Sequence, residues 1–177
     1  MLIRSVTQQE SLDFLTRTAL GRLACEHRGQ PYIVPILFAC DGNCMYAFST
    51  LGKKIIYMRS NPKVCIEVEE LVTRHDWITV VINGRFEELT DTVEYKDLRV
   101  YAHNLLRKNP LWWEPSYVKT VLEGAERPIE ETTYFRIHID QVSGHRGIPD
   151  SAASHRPLVK AHHRGWLQKL LGRQIHH

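Results

Sequence analysis

Ser49, Thr50, Gly52, Lys53 and Lys54 fall in one short stretch, Tyr46 to Arg59, along which the pattern of the chain changes abruptly. Tyr46 and Phe48 alternate with smaller neighbours, as on a strand. Ile55, Ile56 and Met58 then recur at helical spacing until Asn61-Pro62 stops the helix. A strand, a small-residue turn, two lysines and a helix start make a cradle for a phosphate. Free N–H groups at the helix start and the positive end of its dipole favour an anion there. The Ser49 and Thr50 hydroxyls can donate, and Lys53 or Lys54 can neutralise the charge. The same residues also describe a capped surface helix with two solvated lysines, because one glycine and two lysines fall short of a P-loop signature.

Other chemistry is sparse. There is no Ser-His-Asp constellation and no pair of carboxylates at catalytic spacing. His27, His75, His103 and His138 are scattered and read as surface or structural residues. The four cysteines, Cys25, Cys40, Cys44 and Cys65, sit in strand-like stretches without CxxC spacing, as reduced, buried thiols of a cytoplasmic protein. Cys40-Asp41-Gly42-Asn43-Cys44 reads as two strand ends around a hairpin turn rather than as a metal site, so no metal is expected. A net charge of +3 does not imply a nucleic-acid partner. No apolar run approaches a membrane span, and no signal peptide follows Met1, so a membrane partner is not expected.

The elements that must position the cradle follow from periodicity. Thr7-Gln8-Gln9-Glu10 has the form of a capping box for a helix ending near Thr18. Strands are expected at Arg22–His27, Pro31–Ala39 and Cys44–Phe48. Beyond the helix of the cradle, strands are expected at Lys63–Glu69, Trp77–Glu88 and Thr132–Val142. Leu71–Asp76 reads as a polar connection. Pro35 marks an edge, bulge or interruption, and Gly84 a bulge or close backbone approach. Val93–Lys108 reads as an amphipathic helix with Leu98, Tyr101, Leu105 and Leu106 on one side. Leu111–Pro115 reads as an aromatic loop, and Tyr117–Leu122 as a continuation of helix. Six strands joined mostly by turns, with helices between them, predict an antiparallel barrel with peripheral helices.

The chain divides into a domain over 1–145 and a basic, histidine-rich extension over 146–177. Trp166–Leu171 in that extension could form a short basic amphipathic helix.

The order of parts is Leu20-Gly21-Arg22-Leu23-Ala24, Pro31 to Ile36, Tyr46-Ala47-Phe48-Ser49, Gly52-Lys53-Lys54, Asn61 to Cys65, Val80 to Arg85, then Ile137 to Gly144. This series resembles the pyridoxamine 5′-phosphate oxidase-like superfamily of FMN-binding split barrels. It is most similar to the flavin-nucleotide-binding branch related to nitroimidazole-resistance proteins. The resemblance covers roughly residues 5 to 145, most of one domain. It implies a mainly β fold with peripheral helices, a six-stranded antiparallel split β-barrel that works as a cytoplasmic homodimer. It implies a flavin cofactor, FMN with FAD as the alternative. Pro35, Ile36 and Leu37 would lie along the flavin ring, Ser49, Lys53 and Lys54 would hold the phosphate, and Trp77 and Thr79 would stand near the phosphate or ribityl chain. Where the branch commonly has a histidine before the serine, this chain has Phe48, so no chemistry is assigned to a histidine there. The residues that bind substrate in true pyridoxamine-phosphate oxidases are not seen near the C-terminus. The implied function is a flavin-dependent oxidoreductase that passes electrons from a reduced nicotinamide to a small acceptor. A flavin-storage module without turnover, and a haem- or deazaflavin-binding member of the same fold, are the alternatives.

Overall fold

The computed structural model describes residues 1–109, 119–122, 125–128 and 132–149. Strand β1 (Leu2–Ser5) leads into helix α1 (Gln8–Arg17). The capping box forms as its sequence predicts. The Glu10 N–H donates to the Thr7 hydroxyl at 3.2 Å, and the Thr7 N–H donates to the Glu10 carboxylate at 2.8 Å. Phe14 and Leu15 turn inward, and the helix stops at Thr18.

Strands β2 (Leu20–His27), β3 (Gln30–Asp41) and β4 (Cys44–Thr50) follow as successive hairpins. Arg28 and Gly29 both take positive φ, 52° and 79°, the geometry of a hairpin turn whose twist matches its strands. Helix α2 (Lys53–Ser60) interrupts the β-run. Strands β5 (Lys63–Thr73) and β6 (Asp76–Leu89) then pair over most of their length. The expected connection over Leu71–Asp76 is mostly strand, because the β5–β6 ladder continues to Thr73 and Asp76 around a tight turn. A 3-10 turn (Val93–Tyr95) opens helix α3 (Lys96–Leu106), which buries Ala102 and Leu106. Strands β7 (Lys119–Leu122) and β8 (Ala125–Pro128) form a separate two-stranded ladder, which corrects the helix expected over Tyr117–Leu122. The aromatic loop at Leu111–Pro115 and the helix at Trp166–Leu171 lie outside the described residues.

Strand β9 (Thr132–Ile148) closes the molecule. The sheet order is β1-β9-β4-β3-β2-β5-β6, and β6 returns to pair with β9, so six of these strands form a ring and β1 is added outside it. This is the antiparallel split barrel. β9 serves β6 along one edge, and β4 and then β1 along the other. The boundary expected at residue 145 falls inside this strand, three residues before its end.

The period-two pattern fills the barrel. Val64, Ile66 and Val68 on β5 and Phe135, Ile137 and Ile139 on β9 are buried, together with Leu23, Phe38 and Met45. Gly84 is where β6 slips by one residue against β9; a Cβ there would meet the His138 carbonyl oxygen at 2.4 Å. A second cluster, Tyr46, Leu89, Ala102, Leu106 and Tyr134, lies outside the ring under α3.

The barrel opens at β3. Residues 30–37 pair only with β2, whereas Phe38–Asp41 pair with β4. The Phe38 N–H donates to the Ala19 carbonyl at 2.9 Å, on the β2 side. Alternation then directs positions Pro31, Ile33, Pro35 and Leu37 to the unpaired edge. Two of the four carry no N–H, so the proline expected to mark an edge does mark one and blunts its pairing capacity.

Candidate functional site

A cavity of about 370 Å³ opens beside that edge. Its walls are Leu20 at the start of β2, Pro35, Ile36 and Leu37 on β3, Phe48, Ser49 and Thr50 at the end of β4, and Lys54 in the first turn of α2. Five of the eight side chains are apolar, which suits a flat, mostly apolar ligand. The polar groups gather at one end, where β4 hands over to α2.

That handover is built by the local sequence. β4 pairs with β9 as far as Thr50, opposite Thr132, so the chain leaves the ladder at Leu51. Gly52 is the N-cap of α2 and offers no side-chain acceptor to the first turn. The earliest N–H groups of the helix therefore have no partner within it. No acidic residue stands in that first turn, and the positive end of the helix is uncompensated.

Lys54 is the central feature. It is half-buried, burial pushes its ammonium pKa below the ordinary lysine value, and it has no carboxylate partner among the described residues. A desolvated cation without a counter-charge is costly, and an anion supplied from outside would offset that cost. Ser49 is 6% exposed, and its hydroxyl donates to the Thr50 carbonyl at 2.9 Å, so it must exchange that bond to serve a ligand. The Cys25 thiol is pushed up by burial while Lys54 and Lys53 pull it down, a sign of the positive field at this end of the barrel.

The cavity thus brings together Pro35, Ile36, Leu37, Ser49 and Lys54. Lys53 is beside it but turned away, with its Nζ 4.8 Å from the Tyr32 ring centre and 5.2 Å from that of Tyr57. Trp77 and Thr79 do not line the cavity. They stand on β6, where Trp77 pairs with Gly147 and Thr79 with His145 of β9. Leu20 and Phe48 line the cavity without having been singled out as its walls, and Thr50, named for its hydroxyl in the cradle, lines it as well. Leu20 could have been found from its register, since it pairs with Leu37. Phe48 could have been found from its place on β4, directly before Ser49.

The ring of six strands, its open edge and its peripheral helices place the chain in the split-barrel class. The family model described as pyridoxamine 5′-phosphate oxidase matches residues 7–146, and the chain belongs to that family. It is 40% identical over 147 residues to an uncharacterized protein of Rhizobium meliloti (strain 1021), covering 81% of this chain and 95% of that protein. Among solved structures it is similar to a FAD-binding protein from Mesorhizobium loti, with 39% identity, a TM-score of 0.68, and coverage of 84% of this chain and 99% of the other. It shares the fold of the FAD-binding protein from Mycobacterium smegmatis at 18% identity and a TM-score of 0.57, covering 84% of this chain and all (100%) of that one. No helix among the described residues is long and apolar enough to cross a membrane.

Proposed function

We propose that the cavity binds a flavin nucleotide, FMN in the first instance, and that the protein is a flavin-dependent oxidoreductase. The observation that carries this reading is Lys54, a half-buried cation with no counter-charge among the described residues, at the polar end of an otherwise apolar cleft. Lys54 and Ser49 would hold the phosphate, with the Thr50 hydroxyl and the first N–H groups of α2 beside them. Pro35, Ile36 and Leu37 would cover the ring, with Leu37 presenting an N–H on the unpaired edge. Lys53 would contribute to the local field rather than to direct contact. A flavin would supply hydride and electron transfer, here from a reduced nicotinamide to a small acceptor. The protein's part is to bind it, orient it and exclude water. That division of labour fits a site with no recognisable acid–base pair.

Apolar side chains stand in the open on the elements that flank the cavity: Leu20 of β2 is 51% exposed, Ile33 of β3 62% and Ile56 of α2 55%. Such exposure calls for a covering surface, and a two-fold symmetric homodimer would provide it. Trp77 and Thr79, which do not line the cavity of their own chain, would then meet a flavin from the second copy.

FAD is the second reading, favoured by the Mesorhizobium loti protein at 39% identity, which is described as FAD-binding. Titration with FMN, FAD and riboflavin, followed by fluorescence quenching, distinguishes these ligands. The proposal expects FMN or FAD to be retained through desalting and riboflavin to bind more weakly; a protein that quenches none of the three overturns it. A Soret band in the purified protein would replace flavin with haem. Anaerobic addition of NADH or NADPH then separates an enzyme, whose flavin absorbance bleaches, from a storage module, whose absorbance persists.

A further inference from the structure

A second group of reactive side chains stands away from the cavity, on the outer face of the barrel beside α3. The Cys44 sulfur lies 3.7 Å from His138 Nδ1, across the paired positions Cys44 and His138 of β4 and β9. The other ring nitrogen of His138, Nε2, is in a short contact with the Glu87 carboxylate on β6. Glu87 is itself held by two bonds from Arg136, at 2.8 and 3.0 Å, and by the Tyr95 hydroxyl. Arg136 above all keeps the Glu87 carboxyl down at about 2, so it is an anion at neutral pH.

These contacts fix the roles of the imidazole. A carboxylate only accepts hydrogen bonds, so Nε2 carries a proton, and in the neutral imidazole Nδ1 then presents its lone pair to the thiol. The three groups run in a line from sulfur to imidazole to carboxylate, and among the described residues they form no cluster able to hold a metal. A nucleophile, a base at hydrogen-bonding distance and a third group orienting the base is the arrangement that activates a thiol. Cys44 and Cys65 are half-buried rather than buried as expected, because each lies on an outward-facing strand position, and among the described residues no histidine is bonded to Cys65.

We propose that Cys44 is a base-activated nucleophile, with His138 as its base and Glu87 as the residue positioning that base, and that its substrates are small electrophiles, hydroperoxides in particular. The thiol proton passes to Nδ1, and the thiolate attacks the terminal oxygen of the peroxide. The S–O bond forms as the O–O bond breaks, and the departing oxygen takes the proton from Nδ1. With hydrogen peroxide the products are a sulfenic acid on Cys44 and one water; sulfur loses two electrons and the peroxide gains them. Cys40 is buried among the barrel residues, and its thiol is pushed up to about 11 by burial. It is no resolving partner for the sulfenic acid, which would pass instead to a thiol from solution.

The test uses the intact protein and two reagents. Iodoacetamide is applied at pH 7, and the rate at each cysteine is read by peptide mass spectrometry beside the rate of free N-acetylcysteine. The expected result is that Cys44, although half-buried, alkylates faster than the free thiol; a slower rate overturns the proposal without any variant. His138→Gln is expected to slow Cys44 by at least about tenfold while the Cys65 rate is unchanged. Equal Cys44 rates in wild type and a folded variant also overturn it. Hydrogen peroxide followed by dimedone should then label the Cys44 peptide in the wild type and lose that label in Cys44→Ser.

Discussion

Lys54 and Glu87 are both half-buried charges on the barrel, and their surroundings are opposite. Glu87 has a guanidinium, an imidazole and a phenol around it. Lys54 has an apolar wall, two hydroxyl residues and no carboxylate among the described residues. Burial moves Lys54 toward neutrality, whereas Arg136 first, and then His138 and Tyr95 against the pull of burial, move Glu87 toward permanent charge. A saturated charge of this kind braces strands β6 and β9 where they meet. An unsaturated one weakens the empty fold and becomes favourable only with a partner.

The largest effect that can break this contrast is on ligand affinity. Lys54→Ala should weaken FMN binding by roughly ten- to a hundredfold, about 1.5–3 kcal/mol, and riboflavin far less. Calorimetric titration of both ligands checks it, and equal losses would make Lys54 a support of the fold. In the same variant the ligand-free melting temperature should hold or rise, since a desolvated charge has been removed.

Glu87→Gln should do the reverse. It removes the counter-charge of Arg136 and a hydrogen-bond acceptor of His138 and should cost roughly 1–2 kcal/mol of stability in urea unfolding, with flavin affinity unchanged. The pH dependence has matching signs. Glu87 is depressed in the folded state from 4.5 to about 2, so its stabilisation is present above the unfolded value and is lost as pH falls through that window. Lys54, depressed as a base, penalises the folded state while protonated, and the penalty fades as pH rises through its lowered folded value. Wild-type melting curves should therefore weaken in acid, and Glu87→Gln should flatten that slope.

Thr7→Ala, remote from both charges, should cost about 1 kcal/mol through loss of the capping box and calibrates the scale. Lys53→Ala should change FMN affinity least, by less than about 1 kcal/mol, because its ammonium rests on Tyr32 and Tyr57.

Much of the barrel was legible because its strands alternate plainly. Val64, Ile66 and Val68 announced their side of the sheet without help from their neighbours. Strand β1 was not legible: Leu2 and Ile3 are exposed, and only the C-terminal end of β9 makes that segment a strand. Lys119–Leu122 looked helical because four residues carry little periodicity and their ladder partner is non-local. At the cavity, Ser49 and Lys54 could be read from their place between strand and helix. Which lysine faces inward was legible only slightly, with family position favouring Lys54, since it depends on where Tyr32 of β3 and Tyr57 of α2 stand. Cys44, His138 and Glu87 were unreadable as a group, because only the register of three strands makes them neighbours.

The double service of β9 bears on how the chain folds. Neither β4 nor β6 has its second neighbour until residues 132–148 arrive, and β1 has none at all. During synthesis the N-terminal hairpins can form, but the ring stays unsealed while most of the chain is already made. Pairings of such long sequence separation close slowly. In that interval the waiting edges of β4 and β6 are sites for misassembly, and chaperone dependence should track the time taken to deliver the last strand.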